Sequence, residues 1–306
     1  MIVIDNKAFS LTGRSVVTFG KFDGIHKGHR KLFDKAREIA KAENLFLVAF
    51  TFKAVKGLGF TYMEGEKITT SKERYDIFKE LGVDIVIEYP FDEETAGMEP
   101  LEFIEKIIRN KLNAAYVVVG SDWSFGKDRA GNTTVLKAAQ KLYKYEAVVL
   151  EKELYNHKEI SSSWIREEVS QGNMENANIL LGYPYTIAGK VRHGNHFGTT
   201  MGVPTVNIIP EDDKILPPRG VYASKVVIDN ESYYGITNIG VKPTVTDENI
   251  ITIETFILDF DKDVYKEDIK VQFFHFQRPE MKFSNVDALA NQIAKDIEFT
   301  KTYFML

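Results

Sequence analysis

The chain has 306 residues, 44% of them hydrophobic and 27% charged, and carries a net charge of −5. That length is enough for two domains, and interspersed charge without a basic excess argues against a general affinity for nucleic-acid backbone. No cysteine is present, which excludes a disulfide framework, a thiolate nucleophile and a cysteine-based zinc site. The opening "MIVIDNKAFSLTGR" has no basic segment followed by an apolar core, so it does not read as a secretory signal. No apolar run approaches the roughly 18–20 residues of a membrane span. A cytoplasmic protein with no membrane partner is the expectation.

Up to about Tyr183, short apolar runs alternate with helical periodicity. The runs are Ser15–Phe19, Leu45–Phe52, Val83–Tyr89, Ala115–Gly120 and Ala147–Glu151. Richness in Val, Ile and Phe without strict alternation suits strands covered on both faces. Between them, Arg30–Ala42, "TSKERYDIFKELG" with Thr70 and Glu73 as a capping box, "EPLEFIEKIIRNKLN", and "NTTVLKAAQKLYKY" capped by Asn132 read as helices. Strand–helix–strand repetition predicts a parallel sheet. Gly182 ends a helix and Pro184 blocks its continuation. Beyond them the chain reads as strands and turns, "IDNES" marking a hairpin. A last helix starts at about Asn285, with Ser284 and Asp287 as its capping box. The division expected is 1–183 as an α/β domain and 184–306 as an all-β domain, either a closed barrel or a sandwich.

Two stretches are dense in residues that carry chemistry. "FGKFDGIHKGH", residues 19–29, leaves the first predicted strand for a helix. Its glycines Gly20, Gly24 and Gly28 let backbone N–H groups approach an anion, the helix N-terminus adds positive partial charge, and His26 and His29 add donors. A phosphate site beyond the strand ends fits this pattern. A plain surface turn also fits, and a His-x-x-His pair can hold a metal, although no third suitable ligand lies nearby in sequence. "GKVRHGNHFGTTMGVPTVNI", residues 189–208, suits a backbone cradle for phosphate and Mg²⁺, while Thr205 and Asn207 equally suit ordinary strand positions. Glu254 sits inside the apolar strand "ITIETFIL". Alternation turns it to solvent, unless it faces a site where it can act as a general base.

The stretch "VVTFGKFDGIHKGHRKLF" resembles the opening of the bacterial bifunctional riboflavin kinase/FAD synthetase family, V-x-G-x-F-D-G-x-H-x-G-H, within the nucleotidyltransferase superfamily. Further down, "VVVGSDWSFGKDRAGN" is similar to the family's G-x-D/N-F-x-F-G-K segment, and "ISSSWIREEV" to its S-S-T-x-I-R signature with Ser163 in place of Thr. In the second half, residues 189–208 resemble the riboflavin kinase pattern ending P-T-x-N. "PPRGVYAS" resembles P-x-x-G-V-Y-A, and "TNIGVKPTV" resembles N-I-G-x-x-P-T. Arg278, in "FQRPEMKF", falls near the family's I-R-x-E stretch.

The resemblance implies an N-terminal Rossmann-like nucleotidyltransferase (FMN adenylyltransferase) domain and a C-terminal antiparallel β-barrel riboflavin kinase domain closed by a helix. It implies an ATP-dependent transferase that phosphorylates riboflavin to FMN and then adenylylates FMN to FAD and pyrophosphate, with Mg²⁺ as cofactor. His26 and His29 would act on the ATP phosphates. Gly20, Phe22, Asp23, Gly24, Gly28, Asp122, Ser161, Ser162, Ser163 and Arg166 would bind ATP in the first half, with Phe125, Gly126 and Lys127 shaping that pocket. Gly194, Gly198, Gly202 and Pro204 would cradle phosphate in the second half. Thr205 and Asn207 would hold Mg²⁺, and Glu254 would be the general base. The partners implied are riboflavin, FMN and ATP, and no oligomeric state is specified.

Three departures matter. A T-F-x-P-H-P-like segment reads "TFKAVKG" here, so the His and both prolines are missing from 53–57. Thr199 stands where Arg is common, and Lys266 where Gly is common. Two alternatives follow: a monofunctional paralogue that keeps one activity, or a non-catalytic flavin-binding protein.

Overall fold

The computed structural model describes residues 1–54, 66–192, 205–243 and 249–306. These fall into two compact units, one of residues 1–65 and 71–161, the other of residues 66–70 and 162–306. Compactness thus places the segment from Ser162 to Tyr183 with the second unit, although the sequence grammar changes only after it.

The first unit is built on a six-stranded parallel sheet, in the order β1–β4–β3–β2–β5–β8. These are β1 (Ile2–Ile4), β2 (Ser15–Phe19), β3 (Phe46–Ala54), β4 (Ile85–Phe91), β5 (Ala114–Gly120) and β8 (Glu146–Leu150). Two short ladders pair β6 (Ser124–Phe125) with β7 (Gly131–Asn132), and β9 (Leu154–Tyr155) with β10 (Lys158–Glu159). All five residues of β2 are buried, which explains its unalternating apolar sequence. One face of the sheet carries Val17, Phe19, Val48, Phe50, Ile87 and Tyr89 into a single core. The chain turns from β3 on one side of β2 to β5 on the other. This puts a topological switch point at the C-terminal end of β2, where α/β sheets bind ligands.

The helices are α1 (Lys27–Glu43), α2 (Ser71–Glu80), α3 (Glu93–Ala96), α4 (Pro100–Phe103) and α5 (Thr133–Tyr143). Helix α1 starts three residues before the predicted Arg30 because His26 takes the N-cap position. Asn132 caps α5 as predicted, accepting from the N–H groups of Thr134 and Val135. The segment after α4 is π-helical over Ile104–Lys111, which its ordinary amphipathic spacing does not reveal.

The second unit opens with α6 (Ser162–Gln171) and α7 (Met174–Leu181), ended by Gly182 at φ 81°. Its sheet is antiparallel in the order β11–β16–β13–β14–β15–β12. The strands are β11 (Tyr185–Lys190), β12 (Thr205–Ile208), β13 (Gly220–Ile228), β14 (Glu231–Pro243), β15 (Asn249–Ile257) and β16 (Asp268–Arg278). The sheet curls until its two outer strands meet: Arg192 N–H donates to Asn207 O at 2.8 Å. This closure decides between the barrel and the sandwich. Asp229 and Asn230, both at positive φ, make the tight two-residue hairpin turn within "IDNES".

Alternation sends Ile253, Thr255 and Ile257 to the buried interior, where Thr237 hydrogen-bonds both Ser224 and Thr255. The opposite face of β13–β15 is covered by α8 (Val286–Phe304). Asn285 caps α8 through Ala288 N, so the cap is Asn285 and not the predicted Ser284. The helix is pinned by Gln277 Nε2 donating to Thr300 Oγ1 at 2.6 Å, and by Arg278 paired with Asp296.

Candidate active sites

In the first unit, the chain leaves β2 at Phe19 and enters α1 at Lys27. The intervening loop is anchored by two fully buried side chains, Phe22 and Ile25. Both have left-handed backbones, at φ 52° and 32°. Each costs on the order of 1–3 kcal/mol, and such strain persists where surrounding packing fixes it. Phe22 supplies that packing through rings 5.0 Å from Phe33 and 5.8 Å from Phe78.

His26 and His29 stack with ring centroids 3.8 Å apart, and His29 meets the Phe22 ring edge-on at 5.3 Å. A Cβ at Gly28 would lie 3.2 Å from two atoms of the His26 ring, so H-x-G-H needs glycine for close approach. Both Nδ1 atoms are buried with no hydrogen-bond partner among the described residues. Burial pushes His26 down to about 4, against an opposing effect of Asp23. Burial also holds His29 well below the usual range, with His26 adding to the effect. Both rings are therefore neutral near pH 7.

The His26 side chain makes no capping bond, and no acidic residue occupies the first turn of α1. The Gly20 N–H donates to Phe50 O at 3.1 Å, so β3 engages it. The value of glycine there is room: a Cβ would lie 2.8 Å from the Phe22 ring.

Asp122 follows β5 at the C-terminal edge of the parallel sheet and pairs with Lys152 Nζ at 3.1 Å. Lys152 also holds Glu159 at 2.6 Å. Phe125 packs into the core, and Gly126 lies at φ 73° against Pro100. Lys127 extends toward Glu99, 3.9 Å away. Ser161 belongs to the first unit, while Ser162, Ser163 and Arg166 belong to the second. Ser162 opens α6, and Arg166 Nε donates to Glu66 O at 2.9 Å within that unit. The "TFKAVKG" departure, Val55 to Gly57 included, runs out of the described residues after Ala54.

In the second unit, Thr205, Asn207 and Glu254 converge. Asn207 is the direct cross-strand partner of Glu254, and Asn238 is its partner on the other side. Thr205 Oγ1 donates to Glu254 Oε1 at 2.6 Å. Glu254 is on the outward face, as alternation predicts, yet it does not simply face solvent. It lines a cavity of about 270 Å³ roofed by Leu289 and Ile293 of α8. Gly194, Gly198, Thr199, Gly202 and Pro204 lie outside the described residues. Lys266 lies at φ 69°, a backbone that explains why glycine is common at that position.

Asn238 and Asp296 also line this cavity and were not singled out by sequence reasoning. Asn238 was findable. Counting outward from the two-residue turn at Asp229 and Asn230 places it opposite Val221. Asp296 had no such signal, because nothing in the sequence says where α8 docks.

Two family models match the chain: FAD synthetase over residues 9–164 and riboflavin kinase over residues 181–304. The bifunctional riboflavin kinase/FMN adenylyltransferase of Listeria monocytogenes is 34% identical over 291 residues, covering 94% of this chain and 92% of its own. The chain belongs to the bifunctional riboflavin kinase/FMN adenylyltransferase family. The Bacillus subtilis member is 36% identical over 296 residues, covering 95% of this chain and 93% of its own. A crystal structure described as a macrolide-efflux protein from Streptococcus pneumoniae superimposes with a TM-score of 0.86 at 32% identity, covering 98% of this chain and 99% of that one. Among the described residues of this family member, no helix is long and apolar enough to cross a membrane.

Proposed function

We propose that this chain phosphorylates riboflavin to FMN at the second-unit cavity and adenylylates FMN to FAD at the first-unit loop, with ATP as donor in both steps. The observation that carries the reading is the Thr205–Glu254 hydrogen bond, with both residues lining one cavity, in a chain whose two halves match the two family models. On this reading each unit hosts one activity, and the protein works as a soluble cytoplasmic enzyme.

In the first step Glu254 takes the proton of the 5′-hydroxyl of riboflavin as that oxygen attacks the γ-phosphorus and ADP departs. Mg²⁺ fits the site. Thr205 offers a hydroxyl oxygen whose proton is already directed to Glu254, and Asn207 offers an amide oxygen, both hard donors suited to this cation. When bound, the ion supplies charge neutralisation for the triphosphate. Thr205 and Asn207 would hold it.

In the second step the FMN phosphate attacks the α-phosphorus of a second ATP, and pyrophosphate departs. The nucleophile is already anionic, so positioning and charge stabilisation suffice. His26 and His29 serve as neutral N–H donors, since burial keeps both uncharged. Gly24, Gly28 and the first turn of α1 bind phosphate, with Phe22 and Asp23 shaping the loop. Asp122 contacts the nucleoside side, and Ser161 binds the triphosphate.

The test is a product chromatogram after incubation with ATP and Mg²⁺, once with riboflavin and once with FMN. FAD from both incubations is expected. FMN alone from riboflavin refutes adenylyl transfer, and no product from riboflavin refutes kinase activity.

A further inference from the structure

Helix α8 roofs the second-unit cavity with Leu289 and Ile293, yet its apolar grip on the barrel is slight. Of its residues only Asp296 and Thr300 are fully buried, and both are polar. Asp296 is held by Arg278, which also lines the cavity, and Thr300 by Gln277. The partly buried Ile297 adds an apolar contact with the Val221, Ile236 and Leu258 cluster. Buried ion pairs yield little net stability, because desolvation offsets most of the attraction. Whatever holds the far end of α8 therefore has a large say in where the roof sits.

That end meets a caged cation. Lys225 of β13 carries its ammonium over three rings: Tyr234 of β14 at 4.8 Å, Phe274 of β16 at 5.3 Å, and Phe304, the last residue of α8, at 5.3 Å. The rings support one another, Phe304 lying 4.9 Å from Tyr234 and 5.3 Å edge-on from Phe274. Phe274 owes its place to a bulge. Ala223 pairs with His275 and Ser224 with Phe273, which leaves Phe274 as the extra residue. Among the described residues no carboxylate pairs with Lys225. Each ring face attracts the cation, and a positive charge beside the last turn of a helix meets its negative dipole end.

Register puts cage and cavity on one surface. Val221 pairs with Asn238, and both line the cavity. Further along the same strands, Lys225 pairs with Tyr234, and the even spacing from Val221 keeps the face. From Val221 to Lys225 the strand spans about 14 Å. From Asp296 to Phe304 the helix spans about 12 Å. The two spans agree, so α8 runs along β13 with Asp296 at the cavity and Phe304 on the cage.

We infer that Lys225 is a positioning residue for riboflavin binding: its caged ammonium latches the last turn of α8 to the barrel and so sets the roof of the cavity. The inference rests on the riboflavin kinase reading above. Lys225 touches no substrate and acts through the helix. Its charge is the operative property, because an apolar side chain of similar length keeps the packing and loses the attraction.

Amide hydrogen exchange across α8 reads the latch without any ligand. Quenching of riboflavin fluorescence gives Kd, and phosphorylation kinetics give KM and kcat, all on the full-length chain. Lys225→Met removes the charge. It is expected to speed exchange in the last turn of α8 about 10-fold and to raise Kd and KM for riboflavin roughly 3- to 10-fold, with kcat within about twofold. FMN adenylylation should not change. Lys225→Arg keeps a cation that stacks on rings and should retain the wild-type values. Phe304→Leu should mimic Lys225→Met, and the double variant should add little.

Lys225→Met with wild-type exchange and wild-type riboflavin Kd overturns the inference. Faster exchange in α8 with an unchanged Kd also overturns it, since the cage then serves stability alone. A Lys225→Arg protein no better than Lys225→Met does the same. Should Lys225→Met not fold, Phe304→Leu decides by the same two readouts. A wild type that binds riboflavin without phosphorylating it defeats the kinase reading, while exchange and Kd still judge the latch. A wild type that binds no riboflavin defeats both.

Discussion

Gly220 opens β13 at φ 148°, a backbone region nearly closed to side-chain-bearing residues. Replacing it with alanine tests how tightly the cavity wall is held. The new Cβ would overlap the carbonyl oxygen of Arg278 and would lie 2.7 Å from Phe276 Cε2 and 3.0 Å from Pro279 Cα. Two of these three contacts are backbone atoms, so no side-chain rotation relieves them. The dihedral alone costs on the order of 1–3 kcal/mol. Pushing the end of β16 outward adds roughly 1–3 kcal/mol of overpacking. A loss of about 3 kcal/mol is expected in the second unit, which lowers its Tm by about 10 °C for a domain of this size. The displaced atoms carry Arg278, so KM for riboflavin should rise while FMN adenylylation is spared. Thermal melting of the full chain, with kinetics of both reactions, provides the readout. A Gly220→Ala protein that melts within about 2 °C of wild type and keeps its KM for riboflavin would refute the reasoning.

Three further outcomes are expected. Glu254→Gln should abolish riboflavin phosphorylation and leave FMN adenylylation, and His29→Ala should do the reverse; assays of both reactions on each variant check this, and equal loss of both in either variant counts against independent sites. For pH, the His26 imidazole is held near 4 in the folded chain, against 6.5 as its ordinary value. Above pH 6.5 both states are neutral and the group has no effect. As pH falls from 6.5 toward 4 the unfolded chain takes up the proton first, so the folded state loses about 3 kcal/mol across that window. Urea unfolding against pH reads the slope, and His26→Gln should reduce it, leaving the share of His29. Finally, Lys266→Gly relieves a left-handed backbone at φ 69°. The gain from relief exceeds the entropy gained by the unfolded chain, for a net stabilisation of up to about 1 kcal/mol, measurable as a higher Tm.

Much of this was legible in the sequence because local rules governed it. The run "SVVTF" has no alternation, and its strand is buried on both faces. Asn132, Gly182 and the Asp229–Asn230 turn each perform the cap or turn that their chemistry allows. What was not legible depends on tertiary docking. The engagement of the Gly20 N–H by β3 is a matter of strand neighbours, not of loop composition. The strand β1 is only three residues long, too short for periodicity to register. Glu254 shows both sides of this. Alternation put it on the outward face, but only the placement of α8 turns that face into a cavity.

The five residues 66–70 belong to the compact body that otherwise begins at Ser162. Lys67 exchanges backbone hydrogen bonds with Asp213 and Ile215, and the buried Lys214 ammonium donates to Ile68 O at 2.6 Å. The order of the genetic message and the partition of the folded body therefore do not coincide. A fragment cut at Ser162 strips the buried Lys214 side chain of the Ile68 carbonyl that accepts from it. Dissection of the two reactions by truncation will thus register an injury to the barrel that has nothing to do with the missing active site. Point substitutions in the intact chain avoid this injury.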